Sequence, residues 1–353
     1  MNKIKISFPH VANYYIPVKY LFSHILDAEI IIPPKITSKT IEVGSKYSPE
    51  FVCTPFKYTL GTMIEALDMG ANVLFQAGGG CRYGYYSELQ EKILKDLGYK
   101  FKLINLVSGY KDIKKIYRNF KKLDKKFNVF KSLYYLYITK NMVKYMDKID
   151  DYIRKNIGFE EEVGSFDKLL DLMLEDFSNT KNPINLYMLY KKYFKEFKNI
   201  KINKPTNCLK VGVIGELYTV MEPFSNYFLE KNLASYNIEI KRFTNVNYLL
   251  FTNKKQNKKA LKKSKQYMKY KMGADSSSNV YWTKYLCDKK YDGIIHIKSS
   301  FCTPEIASMP IINKIAKSKN IPLIFFSFDS NTSEVGIKTR LEAFYDMIEM
   351  RRL

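Results

Sequence analysis

The sequence predicts an α/β protein that has two parallel-sheet domains and a helical segment between them. Short apolar runs alternate with amphipathic stretches over residues 1–110 and again over residues 205–353, as strands and helices do in parallel sheets. Residues 111–204 instead repeat apolar side chains at helical spacing and contain two glycines, Gly158 and Gly164. We therefore expect two Rossmann-like domains that face each other across a cleft, joined by a basic helical segment.

The N-terminal domain is predicted to contain four strands and three helices. Pro33 and Pro34 end its second strand, because proline cannot donate a hydrogen bond to a sheet. Pro55 suits the first turn of the second helix, and Thr54 is available as its N-cap. The strands are placed at residues 4–8, 29–32, 71–75 and 101–106, and the helices at residues 18–26, 56–69 and 87–97.

The two later segments follow the same reasoning. In the helical segment, one apolar stripe is expected to be core rather than a cofactor site; it comprises Tyr134, Tyr137, Ile138, Met142 and Met146. The C-terminal domain is predicted to have strands at residues 209–214, 238–243, 294–297 and 321–326. Four helices are predicted in this domain: one that Pro223 opens, one that contains Trp282, one from Cys302 to about residue 317, and one over residues 338–350.

Charge is the most unusual property of the composition. The chain has 353 residues, of which 46% are hydrophobic, and a net charge of +23. Such a balance suits a polyanionic partner. The excess is concentrated in residues 111–148 and 253–271, and the abundance of Lys, Asn, Ile and Tyr is also what A/T-rich coding produces. We therefore expect solvated lysine-rich helix faces, with nucleic-acid binding as the lesser alternative.

The sequence predicts a cytoplasmic protein. Its longest apolar runs, such as residues 321–328, are too short to span a bilayer, and His10, Asn13 and Pro17 interrupt any signal-like apolar core. Five cysteines in a chain of this length do not resemble a disulfide framework. Reduced cysteines are then buried small hydrophobes, catalytic thiols or metal ligands.

One cysteine follows a glycine-rich loop. Gly78, Gly79 and Gly80 connect a predicted buried strand to Cys81, and neither the Walker spacing nor G-x-G-x-x-G is present. Glycine permits positive φ and a close approach to a bulky group. Because ligands bind at the carboxyl ends of parallel strands, the position suggests a metal or cluster ligand.

Two further cysteines have comparable positions. Cys53 and Cys302 each begin a Cys-Thr-Pro sequence just ahead of a predicted helix, where the helix dipole favours a thiolate. Three thiolates are typical iron–sulfur ligands and would leave one iron open. Cys208 and Cys287 are interpreted as structural, since one precedes a strand and the other lies on an apolar helix face.

The alternatives to a cluster are a zinc site and a nucleophilic cysteine. Zinc favours Cys-x-x-Cys pairs or closely spaced histidines, and the chain has neither. His10 and His24 lie near the N-terminus, and His296 lies inside a predicted strand, where a hydrogen-bonded core histidine is the commoner case. A nucleophilic Cys81 with a histidine base remains an alternative that no motif supports.

Five short motifs make the chain resemble the 2-hydroxyacyl-CoA dehydratase component family and the related proteins associated with acyl-CoA dehydratase activases. They occur in family order and leave out the basic helical middle. The motifs are Cys53-Thr-Pro-Phe-Lys57, Gly80-Cys-Arg-Tyr-Gly-Tyr-Tyr86, Val211-Gly-Val-Ile-Gly-Glu-Leu-Tyr218, Phe301-Cys-Thr-Pro-Glu305 and Thr339-Arg-Leu-Glu-Ala-Phe-Tyr-Asp346. The residues at 329–332, Asp-Ser-Asn-Thr, depart from the acidic pair that is more frequent in the family.

The resemblance implies a 4Fe–4S cluster between two α/β domains, with Cys53, Cys81 and Cys302 as ligands. It also implies a separate ATP-dependent iron–sulfur activator that supplies a low-potential electron for dehydration of a 2-hydroxyacyl-CoA. A dehydratase of this type needs a second subunit, which is a homologous chain or a second copy. Such a protein would be oxygen-sensitive, and as an enzyme it would be an iron–sulfur dehydratase (a lyase) or a low-potential reductase.

Four residues near these motifs are candidates for supporting roles. Lys57 and Arg82 flank cluster cysteines and are candidates for binding an anionic substrate or for balancing cluster charge, with solvated surface roles as the alternative for both. Glu216 and Glu305 are candidates for moving protons. For Glu305, its favourable place in a helix first turn is a sufficient structural explanation. The alternatives for the whole protein are a non-catalytic cluster or electron carrier, and a basic nucleic-acid-binding protein.

Overall fold

The computed structural model describes residues 3–106, 113–270 and 272–352, and it describes only the backbone of residues 113, 115, 251–257 and 259. The chain divides into two compact units, residues 1–140 (the N-terminal unit) and residues 141–353 (the C-terminal unit). The predicted start of the helical segment, at Lys111, and the last residue of the second basic stretch, Lys271, lie outside the described residues. The predicted division into three domains stays a prediction.

The elements alternate between strand and helix in both units. The N-terminal unit has the strands β1 (Lys5–Ser7), β2 (Glu29–Ile30), β3 (Val73–Gln76) and β4 (Lys102–Asn105). Its helices are α1 (Tyr15–Ile25), α2 (Ser38–Tyr47), α3 (Thr54–Asp68), α4 (Tyr86–Asp96) and α5 (Ile113–Leu123), and it includes the first part of α6 (Val129–Asn156). Short 3-10 helices cover Ala12–Tyr14 and Arg82–Tyr85.

The C-terminal unit begins with helices and continues with a second sheet. Its strands are β5 (Leu209–Gly215), β6 (Ile238–Arg242), β7 (Gly293–Ser299) and β8 (Leu323–Phe328). Its remaining helices are α7 (Ser165–Ser178), α8 (Pro183–Asn199), α9 (Leu217–Met221), α10 (Leu229–Ala234), α11 (Asn253–Ser264), α12 (Ser276–Asp288), α13 (Thr303–Ser318) and α14 (Glu334–Met350). Ile157–Phe159 and Phe224–Asn226 are 3-10 helices, and Tyr248–Thr252 is a π-helical turn.

The two sheets have the same topology. Their strand orders are β2-β1-β3-β4 and β6-β5-β7-β8, and every neighbouring pair is parallel. The prediction of an α/β fold with two parallel sheets is confirmed. The third strand in chain order, β3 or β7, lies at the same place in each sheet.

Both faces of each sheet are covered, as all-parallel sheets require. Along β3, Val73 and Phe75 pack against one core cluster, which contains Phe22 of α1, whereas Leu74 packs against the other, with α3 and α4. The second sheet behaves in the same way. Side chains of β5, β7 and β8 alternate between a core with α10 and α14 and a core with α12 and α13.

Helix α2 was not predicted from the sequence, and it packs closely on α3. A Cβ on Gly44 would lie 1.9 Å from the backbone oxygen of Lys57, and one on Gly61 would lie 2.0 Å from that of Thr40. Only glycine permits the two backbones to approach this closely. The Thr40 hydroxyl adds hydrogen bonds to the Glu65 carboxylate. This packing fixes the helix that follows Cys53.

Three local predictions differ from the structure. The N-cap of α3 is Cys53 rather than Thr54, which already has helical conformation. Pro223, which was expected to open a helix, is the N-cap of only the short 3-10 helix Phe224–Asn226, and the separate helix α9, capped by the Glu216 carboxylate, ends before it at Met221. Of the predicted core stripe, Tyr134 and Tyr137 are exposed, although Ile138, Met142 and Met146 are buried. No helix in the described ranges is long and apolar enough to cross a membrane.

Candidate functional site

Cys81 and Cys302 occupy equivalent positions in the two sheets. Cys81 follows β3 and is the N-cap of the 3-10 turn that leads into α4. Cys302 follows β7 and is the N-cap of α13. Each thiol therefore stands at the junction between the third strand of its sheet and the next helix. The carboxyl ends of parallel strands are where α/β proteins bind ligands.

The repeated Cys-Thr-Pro sequence does not mark equivalent positions. Cys53 begins α3, which precedes the third strand of its sheet, whereas Cys302 begins α13, which follows the third strand. What the two sites share is local, since each cysteine is an N-cap and each proline lies in the first helical turn. The symmetry of the units therefore relates Cys302 to Cys81.

Cys53 and Cys81 are connected through two tyrosines of the N-terminal unit. The Cys53 thiol contacts the Tyr86 hydroxyl at the start of α4. The Tyr83 amide donates to the Cys81 sulfur at 3.5 Å, and the rings of Tyr83 and Tyr86 have centroids 4.7 Å apart. Both cysteines are half-buried. The turn from Cys81 to Tyr86 therefore holds both thiols at one edge of this unit.

The glycine loop does not use the conformational freedom that was expected of it. Positive φ values occur at Gly70, Gly98, Gly164 and Gly215, and none of Gly78, Gly79 and Gly80 has one. Gly79 instead packs closely on Tyr83, because a Cβ there would lie 3.1 Å from the Tyr83 Cβ, a tighter contact than is usual.

Cys302 lies in a buried and positively charged environment. Its residue is 7% exposed, and the nearby Lys298 at the end of β7 is 4% exposed. Burial lowers the pKa of Lys298, while the charges of Cys302 and Glu305 act in the opposite direction. A buried ammonium stabilises a nearby thiolate or other anion. Lys298 could not be recognised from sequence alone, because only the fold buries this lysine.

Glu305 belongs to a buried hydrogen-bond network. Its carboxylate lies 2.7 Å from His296 Nε2 and accepts hydrogen bonds from the Asn279 amide at 3.0 and 3.1 Å. His296 is on β7, Asn279 is on α12 and Glu305 is in the first turn of α13. All three are nearly inaccessible to solvent. The expectation that His296 is a hydrogen-bonded core histidine agrees with this geometry.

Glu216 and Asp275 are electrostatically coupled to this network. Burial raises the pKa of Asp275 from 3.8 to about 7, and the charges of Glu305 and Glu216 add to the effect. Burial also raises the pKa of Glu216, against hydrogen bonds from Thr219 and Tyr218 that lower it. Burial and neighbouring carboxylates both disfavour ionisation, so they act together to favour the protonated form of Asp275.

The other predicted residues have contrasting environments. Lys57 is buried in the first turn of α3, whereas Arg82, next to Cys81, is exposed. Cys208 and Cys287 are both buried, and burial raises the pKa of the Cys287 thiol to about 11. A thiol with so high a pKa is unreactive and a poor ligand.

The site residues are therefore divided between the two units. Cys53, Cys81, Lys57 and Arg82 belong to the N-terminal unit, and Cys302, Glu216 and Glu305 belong to the C-terminal unit. Within the described ranges, no three or more His, Cys, Asp or Glu side chains form a group that could hold a metal ion. Sequence reasoning missed Lys298, Asn279 and Asp275, which become recognisable only once their strands and helices are assembled.

Comparison with known proteins identifies the family. No curated protein matches the chain. A family model described as 2-hydroxyglutaryl-CoA dehydratase, D-component, matches residues 14–348. The match extends across both units and includes all of the cysteines and acidic residues described above. The chain thus belongs to the 2-hydroxyglutaryl-CoA dehydratase D-component family.

Proposed function

We propose that this protein is the iron–sulfur component of a 2-hydroxyacyl-CoA dehydratase and that Cys53, Cys81 and Cys302 bind a 4Fe–4S cluster. The observation that carries the proposal is the equivalence of Cys81 and Cys302, each at the junction of a third strand and the following helix. Family membership supplies the reaction class. The cluster, when bound, would supply low-potential electron chemistry and an iron open to substrate.

The residues present fit such a group chemically. Thiolates are the usual protein ligands of iron–sulfur clusters. All three cysteines are N-caps: Cys53 and Cys302 stand at the positive ends of the α3 and α13 dipoles, and the Cys81 sulfur accepts a hydrogen bond from the Tyr83 amide. Lys298 is buried near Cys302, where burial lowers its pKa and the charges of Cys302 and Glu305 favour its ammonium form. These groups would offset the negative charge that thiolates bring to a cluster.

Other residues of the chain are suited to substrate binding, charge balance and proton storage. Arg82 is exposed beside Cys81 and is suited to an anionic substrate group, whereas the buried Lys57 is suited to balancing charge. Glu305 holds its carboxylate between His296 and Asn279, and Asp275 has a pKa of about 7. We assign proton storage to this network, with Glu216 and Glu305 as the candidates for transfer to or from substrate.

The first test is cluster content. Wild-type protein is purified and reconstituted without oxygen, and its iron, sulfide and visible absorption are compared with those of Cys53→Ala, Cys81→Ala and Cys302→Ala. Cys208→Ala and Cys287→Ala are the controls, because both remove a buried thiol that the proposal leaves out. We expect the first three variants to lose most of their iron and the brown absorption, while both controls keep them.

Three results would separate the alternatives. A colourless wild-type protein after reconstitution would overturn the cluster proposal. A cluster-containing protein that turns over no 2-hydroxyacyl-CoA, even with an ATP-dependent activator and a companion subunit, would favour the electron carrier. Loss of iron in the Cys208→Ala or Cys287→Ala variant would show that the ligands were assigned wrongly.

A further inference from the structure

An exposed apolar surface covers the first part of α6. Six large side chains within nine residues are between 43% and 83% exposed, and we call them the α6 face. They are Val129, Phe130, Leu133, Tyr134, Leu136 and Tyr137. Phe130, Leu133, Tyr134 and Tyr137 have the spacing of one helix face. All six lie in the N-terminal unit.

The opposite side of α6 packs against the N-terminal unit and so holds the helix in place. Tyr135 packs on the unit, with its ring centroid 4.4 Å from that of His24 and 6.0 Å from that of Tyr20. It also joins the core cluster that contains Phe22 and Phe75. The α6 face is therefore directed away from the core by a helix that is firmly attached to it, and the exposure is a property of the folded unit.

The area of this surface is at the upper end of the range for an apolar patch on a single protein. The α6 face exposes on the order of 600 Å², since one aromatic side chain covers roughly 150–250 Å². That equals the largest apolar patch on an ordinary monomer, roughly 300–600 Å². It also approaches the roughly 800 Å² that each partner contributes to a standard protein interface. A surface of this kind is expected to be covered in the working assembly.

The segment that carries the α6 face is almost entirely basic. Residues 113–140 contain nine lysine or arginine residues and one acidic residue, Asp124. The Asp124 carboxylate already accepts hydrogen bonds from the backbone amides of Asp27 and Lys126. Lys125, Lys126 and Lys131 are exposed next to the face. A second copy of the chain would bring like charges together, so the charge pattern requires an acidic partner.

We propose that the α6 face docks an acidic protein partner through an apolar patch rimmed by carboxylates. Aromatic side chains are enriched in the cores of protein–protein interfaces, and three of the six residues of the α6 face are aromatic. The family description, a D-component, also makes this chain one part of an assembly. The inference rests on this membership and not on the cluster, so iron binding can fail without affecting it.

The test measures binding of two defined peptides by fluorescence anisotropy. One is an amphipathic helical peptide with leucine and phenylalanine on one face and glutamate elsewhere, and the other has lysine in place of glutamate. We expect the full-length protein to bind only the acidic peptide, with an affinity that falls as salt rises. Phe130→Ser combined with Tyr137→Ser should weaken binding at least about tenfold.

A matched control uses another exposed apolar residue. Ile184, in the first turn of α8, is 73% exposed and lies outside the α6 face, so Ile184→Ser should leave binding unchanged. Lys126→Glu combined with Lys131→Glu should weaken binding and flatten its salt dependence. The altered residues are all exposed, and thermal unfolding of each variant verifies that it is folded.

Four outcomes would overturn the proposal. Equal binding of both peptides would mean that the surface is merely adhesive. Unchanged binding in the Phe130→Ser, Tyr137→Ser variant would place the site elsewhere. Tighter binding to phosphatidylserine vesicles or to single-stranded DNA, lost in the same variant, would assign the surface to a membrane or to nucleic acid. A concentration-dependent dimer lost in that variant would assign it to a second copy of the chain.

Discussion

At the scale of single residues, Glu305 is the centre of a buried hydrogen-bond network in the C-terminal unit. The first turn of a helix is a favourable place for any carboxylate. Glu305 differs because it is 1% exposed and satisfies both His296 and Asn279. Removing it would leave buried donors without acceptors, a cost that an exposed first-turn glutamate does not have.

We therefore expect Glu305→Ala to lower the free energy of unfolding by about 1–3 kcal/mol, measured by urea denaturation. Glu334→Ala is the matched control, since Glu334 is also a first-turn glutamate but is exposed and forms a surface ion pair with Lys338. Its loss should cost at most about 1 kcal/mol. Equal losses in the two variants would show that the helix dipole, and not the buried network, explains Glu305.

Asp275 gives the stability of the protein a specific pH dependence. Its pKa rises from 3.8 to about 7 on folding, chiefly through burial and then through Glu305 and Glu216. Between these values the folded state keeps a proton that the unfolded state has lost. The contribution of this group to the free energy of unfolding therefore falls as pH rises through that window.

Asp275→Asn should remove this component while keeping a residue suited to the N-cap of α12. Urea denaturation of both proteins at several values between about pH 5 and pH 8 tests it. Relative to the variant, wild type should lose stability as pH rises towards 7. A difference between the two proteins that does not change with pH would contradict the assigned pKa shift.

At the scale of elements, the pair α2 and α3 shows how the site depends on close backbone packing. Gly44 and Gly61 each occupy a position where a Cβ would overlap the backbone of the facing helix. Cys53 is the N-cap of α3, so the placement of this helix sets the position of the thiol. The two glycines thus act on the site through the helix rather than by contact with a ligand.

Gly61→Ala should lower the free energy of unfolding by about 1–3 kcal/mol, because α2 must move to admit the methyl group. Gly336→Ala, in the exposed part of α14, is the control. The nearest atom to a Cβ there is 3.9 Å away, so we expect no loss and a gain of up to about 1 kcal/mol. Chemical denaturation measures both, and a Gly61→Ala variant as stable as wild type would refute the packing argument.

At the scale of the whole molecule, two units with the same sheet order carry different charge and chemistry. Cys81 and Cys302 are equivalent in topology, but the N-terminal unit surrounds its thiols with tyrosines and the C-terminal unit with a buried lysine and carboxyl groups. The family match spans both units, so both of them contribute to the similarity to the family. The net charge of +23 opposes self-association and favours acidic partners.

The sequence by itself determined the strands, most helices and the cysteines that precede helices. These features depend on local signals, such as apolar runs of strand length and a proline in the first turn after Cys53 and Cys302. The strand-helix alternation that they produce was enough to predict two parallel sheets. The same residues also carried the family resemblance, which the family match confirmed.

Only the tertiary structure decided the features that depend on distant parts of the chain. Helix α2 has a polar sequence with an internal glycine, and its packing on α3 gives it a place that its own pattern does not indicate. The burial of Lys298 and the network of His296, Asn279 and Glu305 require strands and helices that meet only after folding. The exposure of Tyr134 and Tyr137 was missed for the same reason, because helical periodicity identifies an apolar face but not what covers it.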